Sequence, residues 1–208
     1  MQTTFPKLDV FSSPSYLTFD VRKGVLASRM GTRLCLLSED FLNGFINACE
    51  YETGPAAPLV LRKCGRTFGA RLARRFEDEA SKEAGIAMRD RMMAELDELL
   101  RDFWGTYGLG ALAIGWSQAA RGVLPVSLKD SPMARGAGAA RGDEIMTGML
   151  EGFINHFGVA SMRVVQTRVA GADGLAEFVA VPESVEEKAK ALVAEGASQA
   201  TILQQLQA

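Results

Sequence analysis

The sequence predicts an α+β fold in which an antiparallel sheet packs with helices. Apolar residues recur at three- and four-residue steps between positions 41 and 103, which indicates a block of helices. Strand-like stretches then come in two neighbouring pairs that flank one further helix, and helical spacing returns after Pro182. Segregated order of this kind favours an antiparallel sheet over a doubly wound parallel sheet.

The first 20 residues predict an extended arm, because Pro6, Pro14 and several serines interrupt regular structure. The arm is too apolar for a free tail, so we expect its large side chains to dock on the domain or on a partner. These side chains are Phe5, Leu8, Phe11, Tyr16 and Phe19. Residues 25–37 then predict a strand or turn around Gly31.

Two helices are predicted next. Ser38 is suited to cap the first, which ends at Gly54 and Pro55. Its apolar positions are Phe41, Leu42, Phe45, Ile46 and Cys49. The second begins near Pro58, with Leu61, Cys64, Phe68, Leu72 and Phe76 on one face and Arg62, Lys63, Arg66, Arg71, Arg74 and Arg75 on the other. Gly65 and Gly69 predict a close contact of this helix with another backbone.

The rest of the chain alternates between helical and extended patterns. A third helix is expected at about 86–103, strands at 109–116 and 122–129, a mobile loop at 131–144 and a fourth helix at about 143–157. Pro125 predicts that its strand lies at a sheet edge or carries a bulge. A final strand pair at 162–170 and 175–181, joined by a turn at 171–174, precedes one or two C-terminal helices.

Composition excludes several classes of protein. With 208 residues, 48% hydrophobic and 23% charged, the chain can bury a sizeable core. A net charge of −2 gives no general attraction to nucleic acid or anionic membranes. Three cysteines at spacings of 14 and 15 suggest free thiols rather than a disulfide framework or a zinc site. Without a secretion signal or an apolar run of about 18 residues, we expect a cytoplasmic protein with no membrane span.

Catalytic and metal-binding patterns are lacking in the sequence. His156 is the single histidine, and no nucleophile motif, phosphate-binding loop or dinucleotide fingerprint occurs. The acidic runs, including Glu77, Asp78 and Glu79, are interpreted as solvated helix faces. We therefore predict no catalytic residue and no metal ligand.

Aromatic residues are the best candidates for a binding site. Both tryptophans stand next to glycines near the predicted mobile loop, which would suit a flat hydrophobic ligand, although such clusters also form ordinary cores. The candidate ligand-binding residues are Phe103, Trp104, Tyr107, Trp116, Met149, Phe153, His156 and Phe157. Arg66 and Arg71 are candidates for anion contacts, although a solvated basic face is the favoured explanation of these arginines. A satisfied or half-exposed helical residue is likewise the favoured explanation of His156.

Several stretches together resemble the 4-vinyl-reductase domain family. They are residues 31–79, 96–114, 142–158 and 164–181, and the most diagnostic parts are the helix with Gly65 and Gly69, the Gly148 to Gly152 helix and the Gly174 to Phe178 hairpin. The resemblance covers about residues 25–182, with an N-terminal arm at 1–24 and a C-terminal helical extension at 183–208. The two extensions resemble the cyanobacterial branch associated with photosystem II assembly.

This resemblance implies a fold related to the Bet3 type of trafficking-complex subunit, a hydrophobic cavity and a homodimer. The family includes a component linked to bacteriochlorophyll vinyl reduction and sensor domains that bind small aromatic molecules. Many members carry cysteines in the last hairpin, where this chain has Ala170 and Ala176, so the thiol ligands are missing. Metal or thiol chemistry is therefore not implied for this chain.

Three functional hypotheses follow. The first is a non-catalytic binding or assembly-factor protein that holds a tetrapyrrole-like ligand, such as a chlorophyll precursor or bilin, or a partner segment, with photosystem assembly proteins as partners. The second is a subunit of a chlorophyll-precursor 4-vinyl reductase, which would need a borrowed cofactor. The third is a purely structural dimer module.

Overall fold

A computed structural model describes residues 10–85, 93–133, 143–158 and 160–207. The helices are α1 (Glu39–Thr53), α2 (Ala57–Ala84), α3 (Met93–Thr106), α4 (Glu144–Phe157), α5 (Glu186–Ala194) and α6 (Gln199–Gln207). The strands are β1 (Leu17–Asp20), β2 (Val25–Ser28), β3 (Arg33–Leu34), β4 (Ala111–Ile114), β5 (Leu124–Lys129), β6 (Met162–Arg168) and β7 (Leu175–Pro182). The predicted third helix is described from Met93 onward, and residues 134–142 of the predicted mobile loop lie outside the described residues.

A four-stranded antiparallel sheet forms the centre of the fold, in the order β4-β5-β7-β6. Alternate residues of β7 face opposite sides of it, so that Phe178 belongs to the core shared with α2, α3 and α4, whereas Val179 belongs to a second core with α5 and α6. The predicted α+β class with an antiparallel sheet is confirmed, as are the two predicted strand pairs.

The prediction that Pro125 marks an edge strand or a bulge is wrong. β5 lies between β4 and β7, and its register is regular from Leu124 to Lys129. The Pro125 carbonyl accepts a hydrogen bond from the Gly115 amide, which lies just beyond the end of β4. In an antiparallel ladder, the nitrogen and carbonyl of one residue point to the same side. The N–H group that Pro125 lacks would therefore point to a position beyond the end of β4.

The N-terminal segment, residues 10–16, contributes side chains to the core. Val10, Phe11 and Tyr16 are each 1% exposed, which agrees with docking of the arm on the domain itself. The expectation of an arm without regular structure is wrong for Leu17–Asp20, since β1 pairs with β2 and β2 pairs with β3 in a small second sheet. The β1–β2 hairpin thus joins residues on both sides of the predicted arm boundary at position 24.

The apolar face of α2 differs from the prediction. Leu61, Leu72 and Phe76 are buried, but Cys64 and Phe68 are exposed, because the inward positions between Leu61 and Leu72 are taken by glycines. The predicted ends of α1 are confirmed, since Ser38 accepts a hydrogen bond from the Phe41 amide and the helix stops at Gly54. None of the helices in the described parts of the chain is both long and apolar enough to cross a membrane.

Candidate functional site

Helices α2 and α4 cross with their backbones in contact. At each of four crossing glycines, an added Cβ atom would lie 2.1 Å from a carbonyl oxygen of the opposite helix. They are Gly65, Gly69, Gly148 and Gly152. Because a side chain does not fit at such distances, only glycine permits this crossing. The close contact predicted for Gly65 and Gly69 is confirmed, and it brings the aromatic residues of α4 beside those of α2.

An aromatic cluster lies between α2, α3, α4 and the N-terminal segment. It consists of Phe11, Tyr16, Phe76, Phe103, Trp104, Tyr107, Phe153 and Phe157. Neighbouring ring centroids are between 4.6 and 6.1 Å apart. Ring contacts of this kind each stabilise a core by about 0.5–1.5 kcal/mol beyond the burial of their surface. The cluster is therefore both packed and energetically important.

The structure brings most of the predicted ligand-binding residues together. Phe103, Trp104, Met149 and Phe153 are buried in one hydrophobic core. Tyr107 is partly buried at 4.6 Å from Phe103, and His156 is 4.8 Å from Phe157 between ring centroids. Phe157 is 44% exposed, so the cluster reaches the protein surface there. Contact of these residues with a ligand stays a prediction.

Trp116 is placed differently from the other candidates. Its indole N–H donates a hydrogen bond of 2.9 Å to Asp97 Oδ1 on α3. The indole N–H of Trp104, by contrast, donates to the carbonyl oxygen of Leu109 within the core. The two tryptophans therefore report on different environments.

Phe11 is inserted into the aromatic cluster from a segment with neither helix nor strand. Its ring is stacked on Phe76 at 5.6 Å and meets Phe103 edge-on at 4.8 Å. The Phe11 carbonyl accepts a hydrogen bond of 2.8 Å from the hydroxyl of Thr106 on α3. Two rings of the cluster, Phe11 and Tyr16, thus come from a segment that side-chain packing and a few hydrogen bonds attach to the domain.

A buried carboxylate, Glu79 of α2, closes the polar end of the cluster. It is 3% exposed and accepts hydrogen bonds from the hydroxyls of Tyr16, Ser28 and Thr32, the last two at 3.3 and 3.1 Å. Burial and the hydrogen bond to Glu79 raise the pKa of the Tyr16 phenol far above its usual value, so this phenol stays protonated. The residues of the N-terminal segment and the β2–β3 turn are thereby fixed to α2.

The hydroxyl groups around Glu79 form a directed chain. Because the single proton of the Tyr16 hydroxyl is donated to Glu79, the Tyr107 hydroxyl at 3.2 Å is the donor to the Tyr16 oxygen. Arg75 in turn donates to the Tyr107 oxygen at 3.4 Å, and its guanidinium lies 5.7 Å from the centre of that ring. This series of hydrogen bonds runs from the partly exposed guanidinium of Arg75 to the buried carboxylate of Glu79.

The interpretation of Glu79 as part of a solvated face is wrong. The residue lies one turn beyond Phe76 and next to the buried Ala80, which is the inward face of α2. That spacing was visible in the sequence, but the three hydroxyl donors come from distant positions. Burial could have been inferred from α2 alone, whereas the partners could not.

His156 forms a short contact with a carboxylate. Its Nε2 is 2.8 Å from Oε2 of Glu77 on α2, and its side chain is 20% exposed. The structure thus provides the satisfied helical residue that the sequence left open as one explanation. A second role of His156, in contact with a ligand, stays a prediction.

A second buried carboxylate is surrounded by arginines. Glu151 of α4 is fully buried, with Arg62, Arg66 and Arg163 nitrogens at 2.9, 2.6 and 3.1 Å from its oxygens. Arg66, a candidate for anion contacts, is therefore bound to an internal anion. Arg71, the other candidate, is exposed on α2. Contact of Arg66 or Arg71 with an external anion stays a prediction.

The described residues contain no group of three or more His, Cys, Asp or Glu side chains placed to hold a metal ion. Cys35, Cys49 and Cys64 are free thiols. In the turn between β6 and β7, Asp173 contacts Arg168 at 2.6 Å. The chemistry available in the aromatic cluster is therefore hydrophobic contact, with hydroxyl and carboxylate groups at one end.

Comparison with protein-family models gives no match, and comparison with curated proteins gives none either. Solved structures do match. The phenol-responsive sensory domain of the transcription activator PoxR, solved with phenol, aligns with a TM-score of 0.63 at 16% identity, over 88% of this chain and 93% of that one. At this identity the similarity shows a shared fold.

Two weaker structural similarities were also found. A trafficking protein particle complex subunit 3 from Naegleria fowleri, covalently bound to palmitic acid, aligns with a TM-score of 0.48 at 15% identity, over 70% of this chain and 92% of that one. A vinyl-4-reductase family protein from Methanocaldococcus jannaschii aligns with a TM-score of 0.48 at 12% identity, over 72% and 83%.

Proposed function

We propose that this protein is a non-catalytic binding domain for a small, flat, hydrophobic ligand. The observation that carries the proposal is the aromatic cluster, which reaches the surface at Phe157 and receives two rings, Phe11 and Tyr16, from a segment without helix or strand. A ligand ring that replaced Phe11 would keep the contacts with Phe76 and Phe103. The site would then be completed either by the chain itself or by its ligand.

A phenol-like ligand fits the polar end of the cluster. The Tyr16 phenol ring is itself buried against Phe11, with its hydroxyl bonded to Glu79 and near Tyr107. A phenol that took the place of the Tyr16 ring would meet the same apolar wall and the same acceptor for its hydroxyl group, Glu79. The PoxR sensory domain, which has the same fold, was solved with phenol. Phenol is therefore the first ligand to test.

The larger ligand predicted from the sequence is a tetrapyrrole, such as a chlorophyll precursor or a bilin. We propose it as the second ligand class, together with a role in photosystem assembly and the relation to the cyanobacterial branch. Such a ligand would have to displace the segment at residues 10–16, because the side chains of Val10, Phe11 and Tyr16 are buried. We further propose a homodimer that acts in the cytoplasm, where the three free thiols stay reduced.

The two tryptophans allow a direct test of the phenol site. In a Trp116→Phe variant, Trp104 becomes the fluorescent reporter inside the cluster, 5.5 Å from Phe153. In a Trp104→Phe variant, the reporter is Trp116 beside Asp97. Phenol should change the emission of Trp104 and leave that of Trp116 unchanged. A response of Trp116 alone would reject this location.

Removal of Phe11 tests whether the segment covers the site. Phe11→Ala should bind phenol more tightly than the unsubstituted protein, since the ligand no longer competes with an internal ring. Phe19→Ala is the matched control, because Phe19 is 59% exposed on β1.

Protoporphyrin binding would be followed by its absorbance after gel filtration. If neither phenol nor protoporphyrin binds to the unsubstituted protein or to Phe11→Ala, the proposal is rejected.

The reductase alternative is distinguished by its product. The isolated chain would be incubated with a divinyl chlorophyll precursor and a reduced nicotinamide cofactor. Under the binding proposal no vinyl group is reduced, whatever the affinity for the pigment. Formation of the reduced product would overturn the non-catalytic assignment.

A further inference from the structure

Helix α1 has an apolar face that the described residues of the chain do not cover. None of its 15 residues is buried, and Phe41 and Phe45, one turn apart, are 56% and 42% exposed. An isolated helix of this length is only marginally stable in water, and helices in proteins are stabilised mainly by packing of an apolar face. Ile46 and Cys49 do pack against the core, but the side of α1 that carries the two phenylalanines is open.

The outward side of α2 carries a matching apolar stripe. Val60, Cys64 and Phe68 follow one another at four-residue steps and are exposed. Contiguous exposed apolar residues of this size mark interaction sites more often than ordinary surface. Two adjoining helices thus present apolar surface that the described part of the chain leaves uncovered.

The charges on the two helices are complementary. Helix α1 contains Glu39, Asp40, Glu50 and Glu52 and no basic residue. The stretch of α2 from residue 57 to 75 contains six basic residues and no acidic one, and Lys63, Arg71 and Arg74 are exposed there. An acidic apolar helix and a basic apolar helix in the same chain suit a two-fold pairing, in which each α1 meets the partner's α2.

We propose that this surface, formed by Phe41, Phe45, Val60, Cys64 and Phe68 with their flanking charges, docks a second copy of the chain. The inference rests on the homodimer proposed above and names its interface. In the dimer, the α1 of one copy covers the apolar stripe on α2 of the other, and Glu52 lies near the partner's basic residues. A two-fold axis repeats the contact, so both uncovered helices are covered at once.

Charge reversal and mixing test this pairing directly. One variant carries Asp40→Lys and Glu52→Lys on α1, and the other carries Arg71→Glu and Arg74→Glu on α2. Each variant alone brings like charges together at both copies of the contact, so its dimer dissociation constant should rise by about tenfold or more. In an equimolar mixture, unlike charges meet again and mixed dimers should form with nearly the original affinity. Sedimentation velocity with one fluorescently labelled variant measures this.

Glu195→Lys, an exposed reversal after α5, serves as the control and should leave the dissociation constant unchanged. Circular dichroism would establish that helix content is kept in each variant, and a variant that merely unfolded α1 would not be rescued by mixing. A dimer that is insensitive to both reversals would overturn the interface while leaving the homodimer intact. The protein could instead stay monomeric, with α1 protected from hydrogen exchange only when lipid vesicles are added. That result would overturn both the interface and the homodimer.

Discussion

Gly69 of α2 lies against Met149 of α4 so closely that a Cβ atom on the glycine would be 2.1 Å from the methionine carbonyl oxygen. The contact joins two backbones, so no side-chain rotation can relieve an added methyl group. The position of Phe153, one turn further along α4, depends on this crossing. The geometry of the aromatic cluster is therefore set by residues that have no side chains.

Gly69→Ala should destabilise the protein by about 2 kcal/mol or more, since overpacking of a fixed contact forces the helices apart. Gly44→Ala is the matched control, because Gly44 lies in α1 with nothing within 4 Å of an added Cβ atom. That change should stabilise the protein by up to about 1 kcal/mol through helix propensity. Urea denaturation of both variants measures the difference, and equal effects would contradict the crossing.

The crossing could be predicted because it depends on local spacing. Gly65 and Gly69 stand four residues apart on one helix, and the same spacing recurs at Gly148 and Gly152. The buried positions on α2 were harder to predict, since the pattern of apolar residues favoured Phe68, which is exposed. A glycine contributes no hydrophobic signal even where it is the inward residue. Periodicity therefore predicts the position of the helix correctly but assigns the wrong residues to part of its buried face.

Glu79→Gln should destabilise the protein by about 1–3 kcal/mol, because an amide nitrogen would face hydroxyl donors where a carboxylate oxygen now accepts. Asp78→Asn, at the exposed neighbouring position, should change stability by less than about 0.5 kcal/mol. A double-mutant cycle with Tyr16→Phe measures the coupling across the buried hydrogen bond. Independent effects of the two changes would show that Tyr16 and Glu79 do not interact.

Glu151→Gln should be more costly, at about 3–5 kcal/mol, because it removes the central anion from Arg62, Arg66 and Arg163. Glu183→Gln is the control: this carboxylate contacts Arg163 at the edge of the same group, with 56% of its side chain exposed. Its loss should change the free energy of unfolding far less than the loss of Glu151, because solvent screens an exposed ion pair. Thermal unfolding of both variants decides, and a small effect of Glu151→Gln would mean that the arginines are hydrated without it.

Glu151 and Glu79 show what the sequence does not reveal. A buried charge is recognised by its partners, and these come from α2, β6, the residue before β1, the end of β2 and the turn after β2, far apart along the chain. The strand pairs were predictable from local alternation and turns, but the central position of β5 was not, because Pro125 suggests an edge when considered alone. Local patterns thus predicted most of the elements and grouped most of the aromatic candidates, whose contact with a ligand stays a prediction, whereas the polar contacts required the fold.

The pH dependence of stability should contain a contribution from Asp143. This residue caps α4 by accepting a hydrogen bond from the Met146 amide at 2.9 Å, and burial, with the nearby Glu144 charge, raises its pKa from 3.8 to about 6. Between these two values the folded protein binds more protons than the unfolded chain, so this contribution is complete below pH 3.8 and is lost as the pH rises through about 6.

Asp143→Asn isolates this contribution, because asparagine keeps an oxygen for the cap and stays neutral. The variant should match the unsubstituted protein near pH 3.5 and exceed its free energy of unfolding by up to about 3 kcal/mol near pH 7.5. Carboxylates with a lowered pKa, such as Asp173 beside Arg168, weaken both proteins equally in acid and cancel in the comparison. Urea denaturation at several pH values measures the difference. If it stays constant from pH 3.5 to 7.5, then Asp143 does not titrate with a raised pKa in the folded state.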